Sequence, residues 1–413
     1  MGFVQNDRMG ALIPRTLAPT LLAAAGDFPV VFLTGPRQSG KTTLAKATFP
    51  DYRYVSLEDL QNREEAQEDP RGFLARLRDV PGTILDEVQR APDLFSYLQG
   101  AVDEGAHGPF ILTGSQQFLL SQHIGQTLAG RVAVLELLPL SMAELLRRES
   151  VTPDAWEAGL RTCPVMQLPS APRLVLDDVL FAGFYPRIHD RGLRPAQWLD
   201  GYVRTYVERD ARLVGSIGDL AAFTRFVALC AGRSGQLLNL SALGADAGVS
   251  HATARSWLSV LEASYLVARV LPHHANFKKR IVKTPKLVFL DSGLLCRLLG
   301  LRRASDLAVH PLRGAVFESF VLAELMKVFL HHGERPPVFF WRDSHGREVD
   351  AVLDFGISMV AVEAKSGATL PTDAFRTLDA YCALSGGPGV LVYGGDESYE
   401  RRGHVVRPWW ALT

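Results

Sequence analysis

The chain has 413 residues, 44 basic and 44 acidic side chains, and therefore no formal net charge, with 47% hydrophobic and 21% charged residues. That length exceeds one ordinary core, so two or three domains are expected, and the zero balance excludes a global field, leaving only local basic patches to attract nucleic acid. The apolar runs are too short to cross a membrane, the N-terminus lacks a basic-then-apolar leader, and Cys163, Cys230, Cys296 and Cys382 form no C-x-x-C pair, so the expectation is a cytoplasmic protein in a reducing compartment, without a zinc cluster.

The first third alternates strand-like runs with helical stretches. Residues 28–34 form an apolar run that ends in a glycine loop, and 53–57, 83–86, 110–113 and 132–137 add four strand candidates. Apolar strands separated by helices predict a parallel sheet covered on both faces.

Between the first strand and a helix lies the sequence G-P-R-Q-S-G-K-T, from Gly35 to Thr42. This is the context that a phosphate-binding loop requires. Gly35 and Gly40 let the backbone wrap so that its N–H groups face phosphate oxygens, and the helix N-terminus adds favourable dipole charge. The predicted ATP-binding residues are Gly35, Pro36, Arg37, Gln38, Ser39, Gly40, Lys41, Thr42 and Thr43. Lys41 is expected to reach the β- and γ-phosphates, and the Thr42 hydroxyl to bind Mg2+.

The third strand ends in Asp86 and Glu87. Asp86 is expected to hold magnesium, often through water, and Glu87 to orient or deprotonate the attacking water. The fourth strand runs into Thr113-Gly-Ser115, where Thr113 or Ser115 would sense the γ-phosphate or hold the water; a plain polar turn is the alternative. Arg131, in Leu-Ala-Gly-Arg, is a candidate to stabilise the transferring phosphoryl group, in its own subunit or a neighbour's, and equally reads as a surface arginine.

Residues 139–213 read as mainly helical, with a loop near 164–172. Within 235–269, the stretches 241–247 and 252–263 flank a short turn as in a helix-turn-helix or winged helix. Arg255, with His251, Thr253 and Ser256, would lie on an outer face suited to a major groove, although such units also serve as packing modules. Arginine greatly outnumbers lysine, and no lysine occurs between Lys46 and Lys278. Against that background Lys278, Lys279, Arg280, Lys283 and Lys286 alternate with apolar residues, a pattern for phosphate contacts or for a solvated edge strand.

A long amphipathic helix is predicted over 316–330, and strands over 338–341, 347–355, 359–364 and 390–393. Asp350 and Glu363 would share one magnesium, with Lys365 positioning a water and Glu318 in support, a layout for phosphodiester hydrolysis. A salt-bridged acid–lysine set, or a decayed nuclease kept as a binding fold, fits the same residues.

Together these segments resemble a family of bacterial and archaeal AAA+-superfamily ATPases whose C-terminal half is the domain of unknown function 4143. The resemblance runs from about residue 28 to 394 and rests on FLTGPRQSGKTTL, ILDEVQR, ILTGSQQFLL, LAGR, LPLSMAEL, FAGFYPRI, GYVRTYVERD, KTPKLVFLDSGLL, RGAVFESFVLAEL, REVDAVL and VEAKSG. It implies an α/β organisation: an AAA+-like P-loop domain, a winged-helix-like middle and a PD-(D/E)xK, restriction-endonuclease-like end. Asp350, Glu363 and Lys365 match the nuclease pattern, and Glu318 its helical acid. The expected boundaries are 1–140 for the ATPase domain, 141–215 for a helical lid, 216–300 for the winged-helix-like domain and 301–413 for the nuclease-like domain. The leading functional expectation is an ATP-hydrolysing motor or switch acting on DNA as a ring-shaped homo-oligomer, a hexamer being one candidate, with no membrane partner. Its arginine finger would come from Arg131, Arg187, Arg204 or Arg209. The alternatives are a signalling or defence switch with slow turnover, and an ATP-gated magnesium nuclease.

Overall fold

The structure, a computed structural model, describes residues 12–105, 108–115, 128–161, 172–207, 219–273 and 284–413. Five strands, β1 (Val30–Thr34), β2 (Arg53–Ser56), β3 (Thr83–Asp86), β4 (Phe110–Thr113) and β5 (Val132–Glu136), form one sheet in the order β2-β3-β4-β1-β5. All its pairings are parallel. Strand alternation divides the apolar side chains between two cores. Phe32, Leu85 and Leu112 pack on one face with Phe73, Phe95 and Leu98, and Val31, Leu33, Ile84 and Ile111 on the other with Leu17, Leu21 and Leu44. This double cover explains why β1, β3 and β4 are buried along their whole length. The helix Ala18–Asp27, which supplies Leu21 to the second core, was not among the sequence expectations.

Most of the buried apolar residues described between Leu138 and Leu412 make one continuous cluster, and a smaller one that includes Val349, Val352, Phe375 and Leu391 lies within the C-terminal part. The segments expected as lid, winged helix and nuclease-like end therefore share a core, and the expected boundaries near 215 and 300 cut through it. The join is visible in the backbone. Helices Leu220–Ala231, Leu240–Ala247 and His251–Ala263 are followed by the antiparallel hairpin β6 (Val267–Pro272) and β7 (Lys286–Phe289), a helix-turn-helix with a wing. β6 also pairs parallel with β8 (Val338–Arg342), so the wing continues into the C-terminal sheet. With β9 (Glu348–Asp354), β10 (Met359–Lys365), β11 (Gly389–Tyr393), β12 (Tyr399–Arg401) and β13 (His404–Pro408), that sheet has eight strands in the order β12-β13-β11-β10-β9-β8-β6-β7.

The helix Arg313–Leu330 is buried on nearly all sides and packs against this sheet. Its last turns are tied to the segment after the ATPase sheet by buried polar groups. Glu324 accepts hydrogen bonds from Met142 N (2.7 Å), Thr413 Oγ1 (3.0 Å) and Lys327 Nζ (2.6 Å). Glu144 forms a capping box with Ser141, accepts from Ser141 N and Thr16 N (both 2.8 Å), and lies 3.1 Å from Arg15 Nε and 3.4 Å from His331 Nδ1. Burial alone would raise the Glu144 pKa, but Arg15, His331 and the Ser141 amide overcome it and hold the carboxyl well below its usual range.

A carboxyl whose pKa is depressed on folding contributes stability above its unfolded pKa and loses that contribution as pH falls toward the folded value. Glu144→Gln, which leaves the Arg15 guanidinium buried and poorly compensated, is expected to cost about 3 kcal/mol at pH 7. The difference in melting temperature between wild type and variant should then close as pH falls below 4.5, the ordinary value for this group. Thermal unfolding at pH 7 and pH 3 checks this; an equal gap at both would show that the Glu144 charge does not stabilise the fold.

Candidate active site

Because β4 lies between β1 and β3, the chain leaves all three strands at one carboxyl edge, which gathers the loop after Thr34, Asp86 and Thr113 in one place. The loop is shaped by two glycines. Gly35 has φ +144°, and a Cβ there would stand 2.2 Å from Leu137 O; Gly40 has φ +96° at the start of the helix Lys41–Thr48. A side chain at either position would clash or strain the backbone. Ser39 and Lys41 are buried, and Lys41 Nζ donates to Gly35 O (3.0 Å) and Pro36 O (2.8 Å), so the ammonium is folded onto its own loop. From outside, Arg15 donates to Ser39 O (2.6 Å) and Leu138 O (2.7 Å), and Tyr202 Oη donates to Arg37 O (3.4 Å).

Asp86 is the hub of the site. Its Oδ1 accepts from Thr42 Oγ1 (2.8 Å) and from Thr113 Oγ1, and its Oδ2 accepts from Tyr54 Oη (2.9 Å). Of the two hydroxyls expected after β4, Thr113 is therefore the one at Asp86. Ser115 is buried, and its Oγ finds no hydrogen-bond partner among the described residues. Tyr54 was not anticipated, since an aromatic on the edge strand β2 carries no local sign of reaching β3. The Thr42 hydroxyl and Asp86 carboxylate form an oxygen-only set of the hard type that magnesium takes. These residues fit the ion, and Thr42 and Asp86 would hold it.

Glu87 has φ +61°, a left-handed conformation uncommon outside glycine, as the chain turns from β3 into the short helical turn Val88–Arg90. Its Oε2 accepts from Gln89 Nε2. Burial raises the Glu87 pKa, against the opposing pull of Lys41 and Arg37.

Arg131 sits elsewhere. It directly precedes β5, whose first residue pairs with Val30, whereas the phosphate loop leaves the far end of β1. Five strand residues put the two ends roughly 16 Å apart. The Arg131 guanidinium also binds the Asp103 carboxylate at 2.7 and 3.1 Å. The expectation that Arg131 acts on a phosphoryl group of its own subunit is corrected by this placement, because strand direction carries it to the opposite sheet edge. Arg187 lies closer: the ring of Pro186 would be 3.9 Å from a Cβ on Gly40, and Arg187 is exposed on the helix that starts there. Arg204 is exposed near the end of the helical segment, and Arg209 lies outside the described residues.

The C-terminal set does come together. β9 presents Glu348 and Asp350 on one face, two residues apart, β10 brings Glu363 and Lys365 alongside, and the helix Arg313–Leu330 supplies Glu318. Asp350 Oδ2 accepts from Ala364 N (2.8 Å), and Lys365 Nζ donates to Glu363 Oε1 (2.6 Å). Burial, followed by the neighbouring Asp350 charge, pushes both Glu318 and Glu363 up to about 8.

Two further residues complete this cluster. Glu348 joins Glu318 and Asp350, with carboxylate oxygens of the three within 4.8 Å of one another. Lys286, at the start of β7, is 1% exposed, and its Nζ lies 2.6 Å from Glu318 Oε1 and 2.5 Å from Glu348 Oε1. Burial would lower its pKa, but Glu318, Asp350 and Glu348 raise it above the usual lysine range. The expectation that Lys286 contacts nucleic acid is corrected here: β7 is covered by the helix Arg313–Leu330, so the side chain points inward. Nor do Asp350 and Glu363 fit as a magnesium pair. Lys365 already holds Glu363, and Lys286 lies between Glu318 and Glu348, the acids beside Asp350.

In the middle segment, Arg255 is exposed on the helix His251–Ala263. With His251, Arg269, Thr284 and Pro285 it lines an open groove of 680 Å³ beside the wing. Lys278, Lys279, Arg280 and Lys283 lie outside the described residues. No described helix is long and apolar enough to cross a membrane.

Comparison with known proteins divides the chain in the same order. A family model described as an AAA domain matches residues 27–146, a domain of unknown function (DUF8612) matches 173–305, and a domain of unknown function (DUF4143) matches 313–412. The uncharacterized protein Rv2008c of Mycobacterium tuberculosis is 30% identical over 394 residues, covering 95% of this chain and 82% of its own. Among solved structures, the Walker-type ATPase PABY2304 of Pyrococcus abyssi is 15% identical with a TM-score of 0.46, covering 70% of this chain and 99% of that one. The RuvB Holliday junction branch migration motor of Thermotoga maritima is 19% identical with a TM-score of 0.30, covering 62% and 90%.

Proposed function

We propose, since this chain belongs to the family of ATPases that join an AAA domain to the domain of unknown function 4143, that it hydrolyses ATP to do work on DNA as a homo-oligomer. The observation that carries the ATPase part is the convergence of three hydroxyls, from Thr42, Thr113 and Tyr54, on Asp86 beside a glycine-shaped loop. On this reading Lys41 leaves the carbonyls of Gly35 and Pro36 for the phosphates, and the loop amides and helix N-terminus hold the triphosphate. Glu87 orients the attacking water and takes its proton. Magnesium, held by Thr42 and Asp86, supplies positive charge against the phosphate oxygens. Of the arginines expected as a finger, Arg187, whose neighbour Pro186 packs near Gly40, is the candidate to add charge within one subunit, and Arg131, paired with Asp103, the candidate for a neighbour's site.

The DNA part rests on the helix-turn-helix, with Arg255 facing outward above a groove lined by His251 and Arg269. Single-stranded or branched DNA is expected to raise the ATPase rate severalfold, with binding that weakens steeply with salt. Arg255→Ala should weaken DNA binding and lower the slope of log affinity against log salt by about one if it contacts a phosphate. Fluorescence-anisotropy titrations at several salt concentrations, together with a coupled ATPase assay, test both. If no nucleic acid binds or changes the rate, the reading passes to an ATP-controlled switch that does not touch DNA.

A further inference from the structure

We infer that the C-terminal carboxylate cluster carries its own cation, and that Lys286 occupies the place a divalent metal would take there. The case is geometric. The wing delivers Lys286 from a distant part of the chain into the face of the sheet under the helix Arg313–Leu330, and its ammonium lies 2.6 and 2.5 Å from Glu318 and Glu348. These are two of the three acids whose oxygens gather within 4.8 Å, the third being Asp350. Glu318 and Glu348 are thus each partnered by the ammonium through Oε1, and Asp350 accepts from the Ala364 amide.

A divalent ion coordinated by the same oxygens would have to stand against a buried ammonium, and like charges in a poorly solvated site repel strongly. Lys365 does the same for Glu363 at 2.6 Å, leaving Glu363 Oε2 buried and without a hydrogen-bond partner among the described residues. The choice of residue matters as well. In a chain where arginine greatly outnumbers lysine, the position holds the compact point charge that most resembles a metal ion. The C-terminal cluster is accordingly a metal-free site whose lysines stand where a divalent ion would.

The inference does not depend on ATP or DNA, and its test is run without either. Nucleotide-free full-length protein is titrated with Mn2+, and free Mn2+ is read by electron paramagnetic resonance. The Asp86→Asn background is used throughout to remove ions at the phosphate loop. The parent and Asp350→Asn are expected to bind the same number of ions. Lys286→Met is expected to bind one more per chain, to lose it again on adding Asp350→Asn, and to show a melting temperature that rises with Mn2+ where the parent's does not. An ion on the parent that Asp350→Asn abolishes would overturn the inference, as would a folded Lys286→Met protein with no additional ion. Should Lys286→Met fail to fold, the comparison of parent with Asp350→Asn decides by itself.

Discussion

Lys41→Ala should lower ATP turnover by about 10²–10³-fold, the usual cost of deleting one preorganised charge at a transferring phosphoryl group, and should weaken ATP binding in parallel. Both effects have the same origin. Lys41 is the buried cation at the base of the loop, and it is held there by the carbonyls of Gly35 and Pro36. Those neutral acceptors are the weaker partners, so a triphosphate can draw the ammonium away from them. Removing it leaves two carbonyls that water at the loop can satisfy, and the melting temperature should move by only a few degrees. A coupled ATPase assay and titration with a fluorescent ATP analogue measure the two losses. A variant that turns over and binds like the parent would remove the triphosphate from the mouth of this loop, and with it the proposed chemistry.

Glu87→Gln should separate the two properties. The amide has nearly the size of the carboxylate and keeps an acceptor for Gln89, so the left-handed turn after β3 should survive. It has no basic oxygen with which to take a proton from water. ATP affinity is expected to stay within a few-fold of wild type while turnover drops by about 10²–10⁴, the range for loss of a general base. Because bound ATP then persists, this variant is also the one in which any nucleotide-dependent oligomer should accumulate, as size-exclusion chromatography with ATP would reveal. Unchanged turnover would assign the water-activating role to another group. Read together, the two variants distinguish a failure of binding from a failure of chemistry, which neither does alone.

Much of the ATPase half is legible in the sequence. The run at 28–34, the strands ending at Asp86 and Thr113, and the loop from Gly35 to Thr42 all announce themselves locally. Alternating or continuous apolar residues mark buried strands, and the backbone angles at Gly35 and Gly40 are ones that few other residues adopt. The acids and lysine on β9 and β10 were legible for the same reason, because a period of two fixes which residues share a face. The hairpin β12–β13 was missed: β12 is only three residues long and largely exposed, too short to show a pattern.

The remaining site assignments depended on elements far apart in sequence. Thr113 rather than Ser115 meets Asp86 because β4 lies directly beside β3. Tyr54 reaches the same carboxylate from the strand on its other side. Arg131, a candidate finger for its own subunit or a neighbour's, is carried by strand direction to the sheet edge opposite its own loop. Lys286 is the sharpest case. A lysine among basic and apolar neighbours reads as exposed because a charge is almost never buried without a partner, and its partners Glu318 and Glu348 lie on another helix and another strand.

The sequence by itself thus determined the strands, the phosphate loop and the acids that follow it, since each is set by backbone angles and side-chain period over a few residues. Only the tertiary structure decided which hydroxyls meet Asp86, that Arg131 lies at the edge opposite its own loop, and which lysines pair with the C-terminal acids. Those outcomes depend on strand order and on charges paired across long separations, which no local pattern specifies.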